Sequence, residues 1–272
     1  MNIKDLENKI INDDCLNILK QLPDKCIDAI ICDLPYGTTA CSWDVVIPFD
    51  KLWEQYKRIR KDNTPIVLFG SEPFSTYLRM SNIKEFKYDL IWNKDLCKNP
   101  GLAKIRPLPS FEIISIFGTG KIKYNPQMEK GEPYTDIRTK PTRILNGNEH
   151  KYGFCGNVVN VINNGQRYPK SVINIKNPNQ AGQHPTQKPV KLLEYLIKTY
   201  SNEGDLILDN CSGSGTTAIA CHNLNRRFIC IEKDYDYWKA SVERLENAKS
   251  QLNLFTNAEQ PKEEIIEQAK LF

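Results

Sequence analysis

The stretch DLILDNCSGSGTT, Asp205 to Thr217, decides how this chain folds. It opens with a short apolar run, Leu206 to Leu208, closed by Asp209, which reads as a strand buried on both faces. A Gly-rich turn follows and leads into a helical pattern at about 215 to 225. Gly213 and Gly215 let the backbone turn tightly and approach a ligand, while the helix start offers unpaired N–H groups. With Ala218 the two glycines satisfy the pattern GxGxxA, and Glu232 closes the next apolar run, FICIE (228 to 232), where an acid can hold ribose hydroxyls. These residues point to a cofactor with an adenosine-like half and leave nicotinamide, flavin and S-adenosylmethionine open. The order GxxxxGK[ST] is absent, which disfavours an ATP-hydrolysing P-loop.

Outward from this stretch the same alternation recurs. Apolar runs at 9 to 13, 28 to 33, 65 to 70, 88 to 92 and 112 to 117 read as buried strands. Helical patterns lie at about 14 to 22, 50 to 61, 73 to 81, 189 to 201 and 235 to 250. Strands alternating with helices imply an α/β fold with a doubly wound, mostly parallel sheet. The stretch 119 to 187 breaks the alternation, being rich in Asn, Gly, Pro and Lys, and reads as an inserted functional region.

A length of 272 residues, 40% of them hydrophobic and 26% charged, describes one large folded domain or a domain with an insertion, and excludes disulfide-stapled, disordered and collagen-like chains. No apolar stretch approaches the roughly eighteen residues needed to span a bilayer, and the charged start MNIKDLENK does not resemble a signal peptide; a cytoplasmic protein with no membrane partner is expected. Nine cysteines include no CxxC pair and several lie in apolar runs, so free thiols are expected and no metal site. The net charge of +4 is uneven. Lys94 to Lys188 holds 15 Lys and Arg against 6 Asp and Glu, and the remainder holds 22 against 27. A basic block on an otherwise acidic chain suits a polyanionic partner met through one face, although a solvated loop surface would look the same.

A second motif, DLPYG (33 to 37), ends the apolar run DAIIC, at the strand terminus where open α/β sheets place ligands. Its parts suit chemistry on the exocyclic amine of a nucleobase, whose lone pair is delocalised into the ring. Asp33 accepting one N–H and the carbonyl of Leu34 accepting the other would draw that nitrogen towards a localised lone pair. Pro35 stiffens the turn, and Tyr36 offers a ring on which a base taken out of the duplex can stack. Taken alone, the tetrapeptide also fits a strand-ending turn with a buried tyrosine.

Together, DLPYG and DNCSGSGTT resemble the DNA amino-methyltransferases, which carry an Asp-Pro-Pro-Tyr type motif and an S-adenosylmethionine-binding Gly-rich loop. With the catalytic motif first, the order resembles the circularly permuted beta class of that family. NDDCLNILKQLPDKCIDAIICDLPYG (12 to 37), LFGSEPFSTYL (68 to 78) with YDLIWNK, and HPTQKPVKLLEYLI (184 to 197) are similar to family segments as well, so the likeness covers about residues 8 to 245. It implies a Rossmann-like methyltransferase fold, with catalytic and cofactor-binding halves at 1 to 118 and 184 to 250, a target-recognition insert at 119 to 183 and a tail at 251 to 272. By position it implies catalytic roles for Asp33, Leu34, Pro35 and Tyr36, and cofactor contacts by Asp209, Gly213, Gly215 and Glu232. It further implies adenine contact by Asp14, for which neighbouring Asp13 is a rival, and places Thr186 and Lys188 at the methionine end. Leu34 departs from the usual Pro, which affects loop stiffness and leaves the carbonyl in place.

The resemblance implies DNA methylation of the restriction–modification kind, and Asp at the first motif position is more typical of adenine N6 than of cytosine N4, where Ser is more typical. Cytosine C5 chemistry needs a Pro-Cys nucleophile, and no such pair exists. A nicotinamide-dependent oxidoreductase would use GxGxxA and leave DLPYG unexplained, and a non-catalytic nucleic-acid binder would not need it. Arg138, Lys140, Arg143, Lys151, Arg167 and Lys170 are the expected DNA contacts. In the tail, Gln251 to Phe255 (QLNLF) and Gln268 to Phe272 (QAKLF) share Gln and a Leu-Phe pair, and the first resembles the peptides that dock on bacterial sliding clamps. Such a peptide buries Leu and Phe in an apolar pocket. Against this stands packing of Leu254, Phe255, Leu271 and Phe272 on the same chain or on a second copy in a homodimer, with 263 to 270 an amphipathic helix.

Overall fold

The computed structural model describes residues 3–38, 44–94, 101, 103–137, 143–145, 152–154, 160–177 and 187–258. They divide into two compact units, Met1–Asn125 with Ser171–Phe272, and Pro126–Lys170.

The first unit is built on an eight-stranded sheet. Its strands are β1 (Lys9–Asn12), β2 (Ala29–Cys32), β3 (Ile66–Gly70), β4 (Phe86–Asn93), β5 (Phe111–Phe117), β6 (Val172–Asn174), β7 (Leu206–Asp209) and β8 (Arg227–Glu232). Its helices are α1 (Cys15–Gln21), α2 (Phe49–Ile59), α3 (Phe74–Ser81), α4 (Val190–Tyr200), α5 (Thr216–Asn223) and α6 (Tyr235–Ala258). The spatial order is β1-β8-β7-β2-β3-β5-β4-β6, and every neighbouring pair is parallel except those that β5 makes with β3 and β4. This is the doubly wound, mostly parallel α/β sheet expected from the alternation, with the strand that carries DLPYG ahead of the Gly-rich turn in the chain.

Strands β2, β3 and β7 are buried at every residue because both faces are covered. Successive side chains point to opposite faces, so Ile30, Cys32 and Leu68 join one core with residues of α1, α2 and α3. Ile31, Val67 and Phe69 join the other with α4, α5 and α6. Each fully buried Ile or Leu in these strands contributes about 1.5–3 kcal/mol relative to an exposed one. Helix α2 shows how the outer layer is held. Leu52, Trp53, Tyr56 and Ile59 recur at three- and four-residue spacing and form its buried stripe.

Two features of the topology set the site. Strands β7 and β2 are neighbours, Ile207 opposite Ala29 and Leu208 opposite Ile30, although they are far apart in sequence. The helices that follow them, α5 and α2, pack on opposite faces, so a crevice opens where the chain parts. The reversal of β5 then brings its first residues, Phe111 and Glu112, to the edge of the sheet where β2, β3 and β7 end.

The second unit is an antiparallel ribbon of nested pairs. Glu129–Lys130 pairs with Gln166–Arg167, Tyr134–Ile137 with Asn160–Asn163, and Arg143–Leu145 with Tyr152–Phe154. Within the irregular stretch read from the sequence as 119 to 187, Pro126–Lys170 forms a compact unit of its own, while Val172–Asn174 adds β6 to the main sheet. Helix α6 also departs from expectation. It runs on to Ala258, so Gln251 to Phe255 is helical where the helix was expected to end near residue 250, and an extended docking peptide there would require those turns to unwind. Gln268 to Phe272 lies outside the described residues. Among the described residues no helix is long and apolar enough to cross a membrane, and Cys15, Cys26, Cys32, Cys211, Cys221 and Cys230 are free thiols.

Candidate active site

At the carboxyl ends of β2, β7 and β8 lies a cavity of about 660 Å³, lined by both sequence motifs. Its size is that of a small-molecule or cofactor site.

The Gly-rich turn forms one wall. Gly215 adopts φ +72° as it enters α5, and a Cβ there would stand 2.9 Å from Cβ of Ser241, so both its conformation and its packing demand glycine. Gly213 has φ +49° with no atom within 4 Å of a built Cβ. Its N–H donates to Oε2 of Glu232 at 2.8 Å, and the N–H of Asp234 donates to Oε1 of the same side chain at 2.8 Å. Burial raises the carboxyl of Glu232 above its ordinary value against these stabilising N–H groups. Ser212 presents a buried hydroxyl with no hydrogen-bond partner. Arg244, which the sequence did not single out, donates from α6 to the carbonyl of Ser214 at 2.8 Å and to Oγ1 of Thr216 at 3.0 Å, bracing the turn from behind.

Asp209 lies on the cavity wall yet is only 4% exposed. Thr217 Oγ1 donates to one of its oxygens and the N–H of Cys211 to the other at 3.2 Å, so its visible work is to tie the strand end to the helix start. Burial pushes its carboxyl up to about 6. Asp14 caps α1, accepting the N–H of Leu16 at 3.0 Å, and its other oxygen lies 3.1 Å from Lys233 Nζ. It lines the cavity, whereas Asp13 does not and instead accepts from the N–H of Asp14 and from Asn17. Thr186 lies outside the described residues.

The opposite wall is DLPYG. Asp33 stands just beyond β2 with 27% of its side chain exposed. The Tyr36 hydroxyl donates to its Oδ1 at 2.6 Å, and Lys188 Nζ donates to its Oδ2. The Tyr36 ring stacks on Phe74, with centroids 4.9 Å apart and planes inclined by 29°. Burial first, and then the Asp33 charge, hold the Tyr36 phenol well above its ordinary value, so it stays a donor. Leu34 is buried in the core. Pro35 lines the cavity beside it. Beyond the motif, the N–H groups of Gly37 and Thr38 each donate to Asp44 at 2.8 Å, fixing the exit of the loop.

The sequence named Lys188 but not its second neighbour. Glu112, from the start of β5, sits 3.3 Å from Lys188 Nζ and 2.8 Å from Lys94 Nζ. Burial would lower the Lys188 ammonium pKa and raise the Glu112 carboxyl; Asp33 and Glu112 in the first case, and Lys188 and Lys94 in the second, reverse both shifts, so each group is held in its charged form.

Of the expected DNA contacts, Arg138, Lys140 and Lys151 lie outside the described residues, and Arg143 opens one of the short strands of the second unit. Lys170 is exposed. Arg167 is largely engaged within its own unit: it donates to Asn163 Oδ1 and to the carbonyl of Glu132, and its guanidinium lies 4.6 Å from the centre of the Tyr134 ring.

The chain is 28% identical over 254 residues, 89% of its length and 75% of the other, to the type II methyltransferase M.HpaI of Haemophilus parainfluenzae. It is 26% identical over 280 residues, covering 93% of the chain and 72% of the relative, to the type II methyltransferase M.HinfI of Haemophilus influenzae. Its fold is similar to that of M1.HpyAVI in complex with SAM, at TM-score 0.56 and 24% identity over 87% of this chain and 99% of that one. It is similar, too, to the cytosine-N4-specific PvuII DNA methyltransferase, at TM-score 0.58 and 19% identity over 92% of each. Residues 27–243, which contain both DLPYG and the Gly-rich turn, match the N6/N4 DNA methylase family model, and the chain belongs to that family.

Proposed function

We propose that this DNA methyltransferase transfers a methyl group from S-adenosylmethionine to N6 of an adenine turned out of the DNA duplex. The observation that carries the proposal is the adjacency of β2 and β7, which sets Asp33 and the Gly-rich turn on walls of one cavity.

The residues present suit the cofactor. Glu232, closing β8, and Asp14 line the same cavity, which supports Glu232 as the acid for ribose hydroxyls, and the buried Ser212 hydroxyl lacks a polar partner that a ligand would supply. When bound, S-adenosylmethionine would supply a methyl group activated by its sulfonium centre, with the thioether as leaving group. The rest falls to the protein. Asp33 accepts one amine N–H and the Leu34 carbonyl the other, which localises the nitrogen lone pair. The Tyr36 hydroxyl holds Asp33 in orientation. The surplus proton on the alkylated nitrogen departs through the Asp33 carboxylate. No covalent bond between enzyme and base is needed.

Adenine is favoured over cytosine N4 by Asp at the first motif position, since both bases present the same amine chemistry. The basic second unit is the proposed DNA-facing part, through Lys170 and Arg143 together with Arg138, Lys140, Lys151 and Arg167. A cytoplasmic enzyme of a restriction–modification system fits the relatives named above. Asp33→Ala tests the catalytic core. It should cut methyl transfer by about a thousand-fold while S-adenosylmethionine binding stays within a few-fold. Wild-type turnover in that variant would remove Asp33 from the mechanism.

A further inference from the structure

Asp33 is not a bare acceptor. Before any base arrives, both of its oxygens carry a donor, Tyr36 on Oδ1 and the Lys188 ammonium on Oδ2. A carboxylate has lone pairs for further bonds, but one paired with an ammonium has most of its charge compensated and draws weakly on an amine. The pairing is also sheltered, because the side chains of Lys188 and Glu112 are only 9% and 15% exposed. An entering substrate amine therefore competes with this cation for Asp33.

The structure holds another acceptor for the cation. Glu112 Oε1 is taken by Lys94 at 2.8 Å. Its Oε2 is buried and already ion-paired with Lys188 Nζ at 3.3 Å, but in a geometry that falls short of a hydrogen bond. A buried carboxylate oxygen without a hydrogen bond is uncommon, and here a donor stands within reach. The Lys188 ammonium also lies 5.1 Å from the centre of the Phe69 ring, whose face favours a cation beside both carboxylates. Two lysines and two acids make the cluster neutral, and it stays neutral whichever acid Lys188 bonds.

We propose that Lys188 is a two-position ammonium and that Glu112 is the positioning residue providing its second seat. Resting on Asp33, Lys188 keeps that carboxylate charged and in place within the cavity. As the base amine enters, Nζ moves to Glu112 Oε2 and Asp33 Oδ2 is released to accept the amine N–H. No bond other than hydrogen bonds changes in this step, and Lys188 remains protonated throughout. Lys94 holds the far oxygen of Glu112, so that the near one faces Lys188.

This inference rests on Asp33 being the amine acceptor, and one set of variants separates the two. Single-turnover transfer from tritiated S-adenosylmethionine to unmethylated genomic DNA is measured at saturating cofactor, with cofactor affinity read by calorimetry and folding by thermal unfolding. Glu112→Gln should slow transfer about ten-fold or more with cofactor affinity within about three-fold, because Lys188 then stays on Asp33. Adding Lys188→Gln to Glu112→Gln should restore at least about three-fold of the lost rate, since no cation remains to be displaced. Glu112→Asp keeps the charge and should fall between wild type and Glu112→Gln, giving a second reading from a conservative change. A double variant no faster than Glu112→Gln, or a wild-type rate in Glu112→Gln, overturns the two-seat proposal. If Asp33→Ala transfers at the wild-type rate, the proposed function fails; if Asp33→Ala is inactive while Glu112→Gln is unimpaired, only the relay fails.

Discussion

Glu232→Gln changes almost no volume and removes one acceptor. In the native site each carboxylate oxygen of Glu232 takes one backbone N–H, from Gly213 and from Asp234, both at 2.8 Å. Glutamine offers one oxygen, and its NH2 group must face the other N–H, donor against donor. One backbone N–H is left unpaired at a cost of about 1–3 kcal/mol, and charge assistance is lost from the bond that survives. At 1.36 kcal/mol per decade, about 5- to 150-fold is expected between cofactor affinity and fold stability together. The share in affinity should dominate, because Gly213 belongs to the turn that lines the cavity and the ribose would lose an anionic acceptor as well. Calorimetric titration with S-adenosylmethionine, beside a thermal unfolding scan, reads both shares. An affinity within two-fold of wild type together with an unchanged unfolding midpoint would refute the assignment of Glu232 as the brace of the turn and the acid of the cofactor site.

Tyr36→Phe removes a 2.6 Å bond to a charged acceptor while keeping the ring on Phe74, so kcat should fall about ten-fold or more with cofactor affinity unchanged; an undiminished kcat would leave the hydroxyl without a role. Tyr36→Ala loses the ring too, and should weaken DNA binding as well as turnover. Asp209→Asn concerns stability. Burial raises this carboxyl from 3.8 to about 6, so the folded protein holds the proton more tightly than the unfolded chain. The stability linked to that proton is complete below about pH 3.8 and is lost as pH rises through about 6, roughly 3 kcal/mol in all. Wild-type unfolding free energy should thus decline relative to Asp209→Asn across that window in chemical denaturation, and parallel profiles would show that Asp209 ionises freely.

Much of this architecture was legible because buried strands and amphipathic helices leave unlike traces. AIIC, IVLFG and LILD are apolar at nearly every position, while α2 and α4 repeat their apolar residues every three or four. Direction leaves no trace. FEIISIF reads the same whether its strand runs with its neighbours or against them, and only the reversal of β5 carries Glu112 to the catalytic edge. Lys94 was hidden for the same reason, since its partner could not be placed. Arg244 sits far along α6 and meets the Gly-rich turn only through packing. The ribbon of the second unit escaped notice because pairs of two to four residues are too short to display a two-residue period. The end of α6 was set too early, because nothing between Lys249 and Ala258 is a glycine or proline that would stop a helix.

Methyl transfer to N6 of adenine is tested by identifying the modified base itself. DNA from a methylation-deficient host expressing the protein can be sequenced by a method that detects modified bases and digested to nucleosides for mass spectrometry. N6-methyladenine is expected at one recurrent sequence, absent from a host expressing Asp33→Ala. N4-methylcytosine in its place would contradict the assignment of the base, and modification that persists with Asp33→Ala would contradict the mechanism.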